Sequence, residues 1–244
     1  MTNDKQHIIA LILRGFLLCA ALLVVNWGHT QIIPAISSVA DERPVDGIYQ
    51  SIKTLERSPK STVHPQDLIT IDSALLLPDV PYRNRFFLLA GWLGREEALR
   101  AVPYEYRRST RLRNDYDLAM IRVGDEGRIG RLQTLLNEVA VNDDFVYTLA
   151  PKLIYTRRPE VFDFMMDQIL LDQRNCTAAD AHSEGRLNCA YRLLELVAPH
   201  IQDFPLEVGT SGDLETDDYP TALEIARLWI QENRANYLIN TETY

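Results

Sequence analysis

The richest concentration of interacting side chains lies in "RAVPYEYRRSTRLRND". There Arg100, Arg107, Arg108, Arg111 and Arg113 alternate with Tyr104 and Tyr106. Guanidinium groups grip carboxylate or phosphate through paired N–H donors, and Arg and Tyr are enriched where interfaces hold most of their binding energy. The chemistry expected here is docking of a protein or peptide; the alternative is a basic connection between repeats, paired with Glu105, Asp115 and Asp117. A second candidate is "GDLETDDYPTALE". Asp213, Glu215 and Asp217 alternate, and Glu224 falls at the twelfth position, as in a calcium loop built from hard oxygens. Asp218 stands at the sixth position, where such a loop needs glycine for its sharp turn, and Pro220 stands at the eighth. The preferred reading is therefore an acidic loop that caps the last helix. Calcium or small-ligand binding through residues 213–224 is the alternative.

The remaining motifs are negative or structural. No Gly-x-Ser-x-Gly and no His-Glu-x-x-His occurs, and "GDEGRIG" misses the dinucleotide spacing. The five histidines have no ligand-like spacing. No catalytic residues, metal site or cofactor are assigned, and an enzyme on a helical scaffold is the minority reading. Cys176 and Cys189, in "RNCTAADAHSEGRLNCAYR", flank a polar stretch between helical patterns. They suit a local disulfide in an oxidising compartment, with two free thiols as the alternative.

The whole chain of 244 residues has a net charge of −9 and a pI near 5.1, which disfavours nucleic acid as a partner. The charge is uneven. Eleven arginines face seven acids between Arg83 and Arg131, whereas nine acids face two arginines from Gln202 onward. The basic half is thus the part suited to anionic partners.

"HIIALILRGFLLCAALLVV", from His7 to Val25, is the most apolar stretch. With Arg14 as its inner boundary, the run continues through Trp27 toward Ile33 and approaches the ~20 residues that span a bilayer. Lys5 and Arg14 precede it and Asp41 and Glu42 follow, so the positive-inside bias places the body outside the cytoplasm. Residues 1–30 are read as a single membrane anchor or a cleaved signal peptide, and 31–45 as a linker. The expected location is periplasmic or otherwise extracytoplasmic.

Residues 46–244 follow a helical rhythm. "YRNRFFLLAGWLG" leads into "REEALRAVPYEYRR", "DYDLAMIRVG" into "DEGRIGRLQTLLNEV", "DDFVYTLAPKLIYTRR" into "PEVFDFMMDQILLD", and "LNCAYRLLELVAP" into "HIQDFPLEV". Each unit pairs two apolar helical patterns across a corner, near Gly94, Gly124, Arg158 and Pro199. The first units recur every ~30 to 35 residues, a period typical of stacked repeats. Asp143 or Asp144 suits the cap of a helix starting at Phe145. "PTALEIARLWIQENRANYLI" would close the stack, with Ala222, Ile225, Ala226, Trp229 and Ile230 on its inner face.

"IRVGDEGRIGRLQTLL" resembles the HEAT-repeat family, whose first helix ends at such a corner and whose second turns aliphatic residues to the core. Ile121 and Val123 precede the corner, and Ile129, Leu132, Leu135 and Leu136 follow it. The resemblance covers residues 82–208, and Pro103 within a second helix departs from it. It implies an all-α fold, a right-handed stack of antiparallel helical hairpins (an α-solenoid), and a non-catalytic scaffold that binds a protein or peptide.

Overall fold

The computed structural model describes residues 45–108, 110–171, 173–177 and 186–244; for residue 45 and residues 110–113 it describes the backbone alone. The expected anchor or signal segment and most of the linker lie outside these residues. Among the described residues no helix is long and apolar enough to cross a membrane.

The fold is helical. Among the described residues, eleven helices run in the order α1 (Val45–Arg57), α2 (Pro65–Leu76), α3 (Arg83–Trp92), α4 (Glu96–Ala101), α5 (Tyr104–Arg108), α6 (Thr110–Arg122), α7 (Glu126–Glu138), α8 (Ala150–Tyr155), α9 (Pro159–Leu170), α10 (Ala190–Val197) and α11 (Tyr219–Asn233). A π-helical turn, Phe145–Leu149, leads directly into α8. The strands β1 (Cys176–Thr177) and β2 (Arg186–Leu187) form a short antiparallel ladder.

The corners follow from local chemistry. Gly94 and Gly124 adopt φ of 74° and 99°, a left-handed region where a side chain is strained. Asp125 then caps α7 by accepting from Arg128 N–H at 3.0 Å. The third corner is turned by Arg157, at φ 52°, one residue before the position the sequence suggested. Pro159 opens α9, where the missing N–H costs nothing. Asn142, rather than either expected aspartate, holds the start of the Phe145 turn by accepting its N–H at 3.1 Å. Asp143 instead accepts from the Thr177 backbone and hydroxyl.

Two expectations are altered. The helix expected across "REEALRAVPYEYRR" breaks at Pro103 into α4 and α5, because proline disfavours helical geometry in the residue before it. No second helix forms in "HIQDFPLEV": a 3-10 turn, Ala198–His200, leads into it, and turns and bends between the isolated bridges at Ile201 and Val208 follow. On α11, Ala222, Ala226 and Ile230 are buried as expected, but Leu223 takes the inner place expected of Ile225, which is exposed.

The helices pack in a regular order. The leading helices α3, α6, α8 and α10 each contact the next, as do α7, α9 and α11. This packing is compatible with a helical-repeat fold. One apolar cluster centres on Ile52, Leu75, Phe86, Phe87 and Trp92, and a second on Phe145, Phe162, Met165, Leu193 and Ile230. α6 and α8 serve both: Met120 and Tyr155 face the first, Ile121 and Leu153 the second.

Cys176 and Cys189 are joined by a disulfide, buried in the second cluster. Such bonds persist in oxidising compartments. Closing a loop this short stabilises the chain by roughly 3 kcal/mol. Cys176→Ser with Cys189→Ser is expected to lose about that amount in urea unfolding, and adding reductant should then change nothing further.

Candidate docking face and ligand cleft

Three of the residues singled out in the sequence come together in space. Tyr104, the first residue of α5, is exposed, and the guanidinium groups of Arg107 and Arg108 lie 5.8 and 5.2 Å from its ring centre. On α6, Tyr116 is buried edge-on against Phe87, with its hydroxyl donating to Leu99 O at 3.2 Å. From α7, Arg128 lies over the Tyr116 ring at 5.1 Å and bonds Asp117 at 2.7 Å and Asp125 at 3.2 Å. Burial opposes the Arg128 charge, but the Asp117 and Asp125 carboxylates outweigh it and raise its pKa. Arg131 stands one turn further along α7.

Tyr104, Arg107, Arg108, Tyr116, Asp117, Arg128 and Arg131 line an open cleft of about 650 Å³. Among the described residues Arg107, Arg108 and Arg131 line it beside Arg128, which Asp117 and Asp125 hold, so the cleft suits carboxylate or phosphate groups. It continues into an apolar cleft of about 300 Å³ lined by Leu118, Ile121, Leu132, Leu135 and Leu153, with Asp117, Arg128 and Arg131 shared. The pair offers anion-binding and apolar surface side by side.

Two other expected residues, Arg100 and Tyr106, fall elsewhere. Arg100 is tied to Glu96 at 2.8 Å and Asp125 at 3.6 Å. Tyr106 turns toward the core under Arg83, whose guanidinium lies 3.8 Å from its ring centre. Arg111 and Arg113 lie on α6, and their side chains are outside the described atoms. Tyr116, Arg128 and Arg131 were not singled out. The spacing of Arg128 and Arg131 on an amphipathic helix was the available signal.

A second cleft, of about 500 Å³, opens beside the disulfide. Its polar centre is Glu195, which is buried and accepts from Tyr219 Oη at 2.8 Å and from Arg192 at 2.5 Å. Arg192 also donates to Tyr147 Oη at 3.1 Å and lies 3.5 Å from Asp213. Bonds to Glu195, then Tyr147, raise the pKa of Arg192. Burial, then the bond to Glu195, raises that of Tyr219.

The acidic loop contributes Asp213, Tyr219 and Pro220 to this wall. The rest of the loop is held by other bonds. Val208 bridges Leu214, Glu215 N–H donates to Glu207 O, and Asp218 caps α11 by accepting from Thr221 N–H and Oγ1. Among the described residues, no three His, Cys, Asp or Glu side chains converge to hold a metal ion.

Set against protein-family models, curated proteins and solved structures, the chain matches none of them.

Proposed function

We propose that this chain is an exported or membrane-anchored α-solenoid of the HEAT-like kind that docks an acidic protein segment and performs no catalysis itself. The observation that carries the reading is the cleft lined by Tyr104, Arg107, Arg108 and Arg131, which continues into an apolar cleft. A segment with carboxylates beside leucine-like residues matches both halves. The successive packing of leading helices supports a solenoid, and the disulfide supports an extracytoplasmic setting.

The test is a pull-down from membranes of the native host, followed by reconstitution with the purified partner. Arg107→Ser with Arg108→Ser is expected to weaken binding at least about thirtyfold, the loss typical of an interface hot spot. Affinity should also fall steeply as salt rises. Equal binding by the variant would remove the docking face from this cleft.

A second reading, a small-ligand module, is favoured by one observation: the acidic loop forms part of the wall of the 500 Å³ cleft. A thermal-shift screen of small ligands that stabilise the native chain but not Glu195→Gln would support it over protein docking.

A further inference from the structure

The 500 Å³ cleft beside the disulfide has aromatic and apolar walls around a charged centre. Within its first two turns α10 supplies Tyr191, Arg192 and Glu195, and Tyr219 approaches from the start of α11. The Tyr191 and Tyr219 rings meet at 82°, with their centres 5.7 Å apart, and form an aromatic corner. Leu187 on β2 and Pro220 add apolar surface. The disulfide ties the ladder that carries Leu187 to the start of α10, so the two sides of the cleft are held at a fixed spacing.

The charge of the cleft selects what can enter it. Among the described residues its lining carries two carboxylates, Glu195 and Asp213, against the single guanidinium of Arg192. Arg192 is already engaged: its Nη1 bonds Glu195 and its Nε donates to Tyr147 Oη. One negative charge therefore remains in excess. Glu195 is 7% exposed, and it accepts from Arg192 and Tyr219. A carboxylate has about four lone-pair sites, so acceptor capacity is left over. Attraction to a cation is stronger at such a buried group than in water. Because the Tyr219 hydroxyl donates to a carboxylate, electron density is pushed into its ring. An electron-rich ring face attracts cations, above all quaternary ammonium and amine groups.

We infer that this cleft holds a small organic cation with an apolar body, an amine or quaternary ammonium compound. Its head lies at the Tyr191–Tyr219 corner near Glu195 and Asp213, and its body rests on Leu187 and Pro220. The volume is that of an ordinary small-molecule site. A neutral ligand of the same shape gains the apolar contacts but nothing from the carboxylates, and an anion is repelled by them. The inference rests on the small-ligand reading of this cleft and is independent of the Tyr104 cleft.

The test uses the full chain in a neutral detergent and three probes that share an aryl body and differ in the charge of the head: benzyltrimethylammonium, benzyl alcohol and phenylacetate. Binding is read by ligand-detected NMR titration. Benzyltrimethylammonium is expected to bind at least about tenfold more tightly than benzyl alcohol, the gain expected of a desolvated cation–aromatic contact, and phenylacetate more weakly than either. Tyr191→Leu keeps the wall apolar but removes its ring, and should erase most of that advantage while leaving benzyl alcohol binding nearly unchanged. Asp213 is exposed, so Asp213→Asn tests the charge without disturbing a buried bond. It should weaken the cation at least about threefold and leave benzyl alcohol unaffected. Equal binding of the three probes, with competition among them, would overturn the cation inference and leave the small-ligand reading standing. Tighter binding of phenylacetate would do the same. Absence of binding by all three would overturn both.

Discussion

Gly91→Ala is expected to destabilise the chain by about 2–4 kcal/mol, although alanine is the better helix former. A Cβ at Gly91 would lie 2.5 Å from Tyr155 Oη, 2.7 Å from Ala119 Cα and 2.9 Å from Ala119 Cβ. Two of those atoms belong to α6, and one is backbone, so the clash is relieved only by parting α3 from α6. The third is a hydroxyl that donates to Leu88 O at 2.5 Å in a buried setting. Moving it strands a polar group that folding has desolvated. In a chain of this size the loss corresponds to a fall in melting temperature of roughly 6–12 °C, measured by circular dichroism. Gly130→Ala is the matched control. It also lies mid-helix, and its Cβ would meet nothing within 4 Å, so it should gain up to about 1 kcal/mol. Equal effects at the two positions would show that α3 and α6 do not meet as described.

Acid should unfold the chain earlier than its carboxylates alone would dictate, because of His200. Burial, then the nearby charges of Arg157 and Arg122, push its pKa down from 6.5 to about 3. In the folded chain the imidazole stays neutral until about pH 3, while in the unfolded chain it takes a proton near 6.5. Between those values the unfolded state binds the extra proton. The contribution to stability is therefore complete above pH 6.5 and falls by about 1.4 kcal/mol per unit as pH drops toward 3. By pH 4.5 the loss is about 3 kcal/mol. His200→Phe keeps the backbone carbonyl that receives Asn240 N–H and removes the titration. Urea unfolding from pH 7 to 4.5 should give a flatter profile for the variant by about that amount. Parallel profiles would mean that His200 is not buried against the two arginines. Asp143 and Asp218, held below their ordinary values by Thr177 and Thr221, contribute acid sensitivity of the same sign in both proteins.

What the sequence made legible was local. Gly94, Gly124 and Asp125 marked corners because a left-handed residue and a capping carboxylate announce themselves by type. The cysteine pair was legible because its spacing closes one short loop. The arginine and tyrosine run was legible as a charge pattern, but not as a site. Tyr106 and Arg100 belong to the same run and turn away to Arg83, Glu96 and Asp125, partners that only packing supplies. Arg128 and Arg131 join the cleft from the next helix by the same long-range geometry. Residues 235–239, "ANYLI", carry no strong breaker and read as the tail of the last helix, but α11 ends at Asn233 and the chain then runs back across the helices. Its path depends on a bridge to Ile201 and on Arg122 and Arg157, which are remote in sequence.

The central claim is that a partner meets the chain at the Tyr104 cleft. A photo-crosslinking residue placed at Tyr104 of the full chain, in membranes of its native host, tests it most directly. The account predicts one discrete covalent adduct that disappears with Arg107→Ser and Arg108→Ser. It also predicts no such adduct from the same probe at Leu228, an equally exposed apolar position on α11 (60% against 61% for Tyr104). An adduct that persists without the two arginines, or one that forms at Leu228 and not at Tyr104, would contradict it.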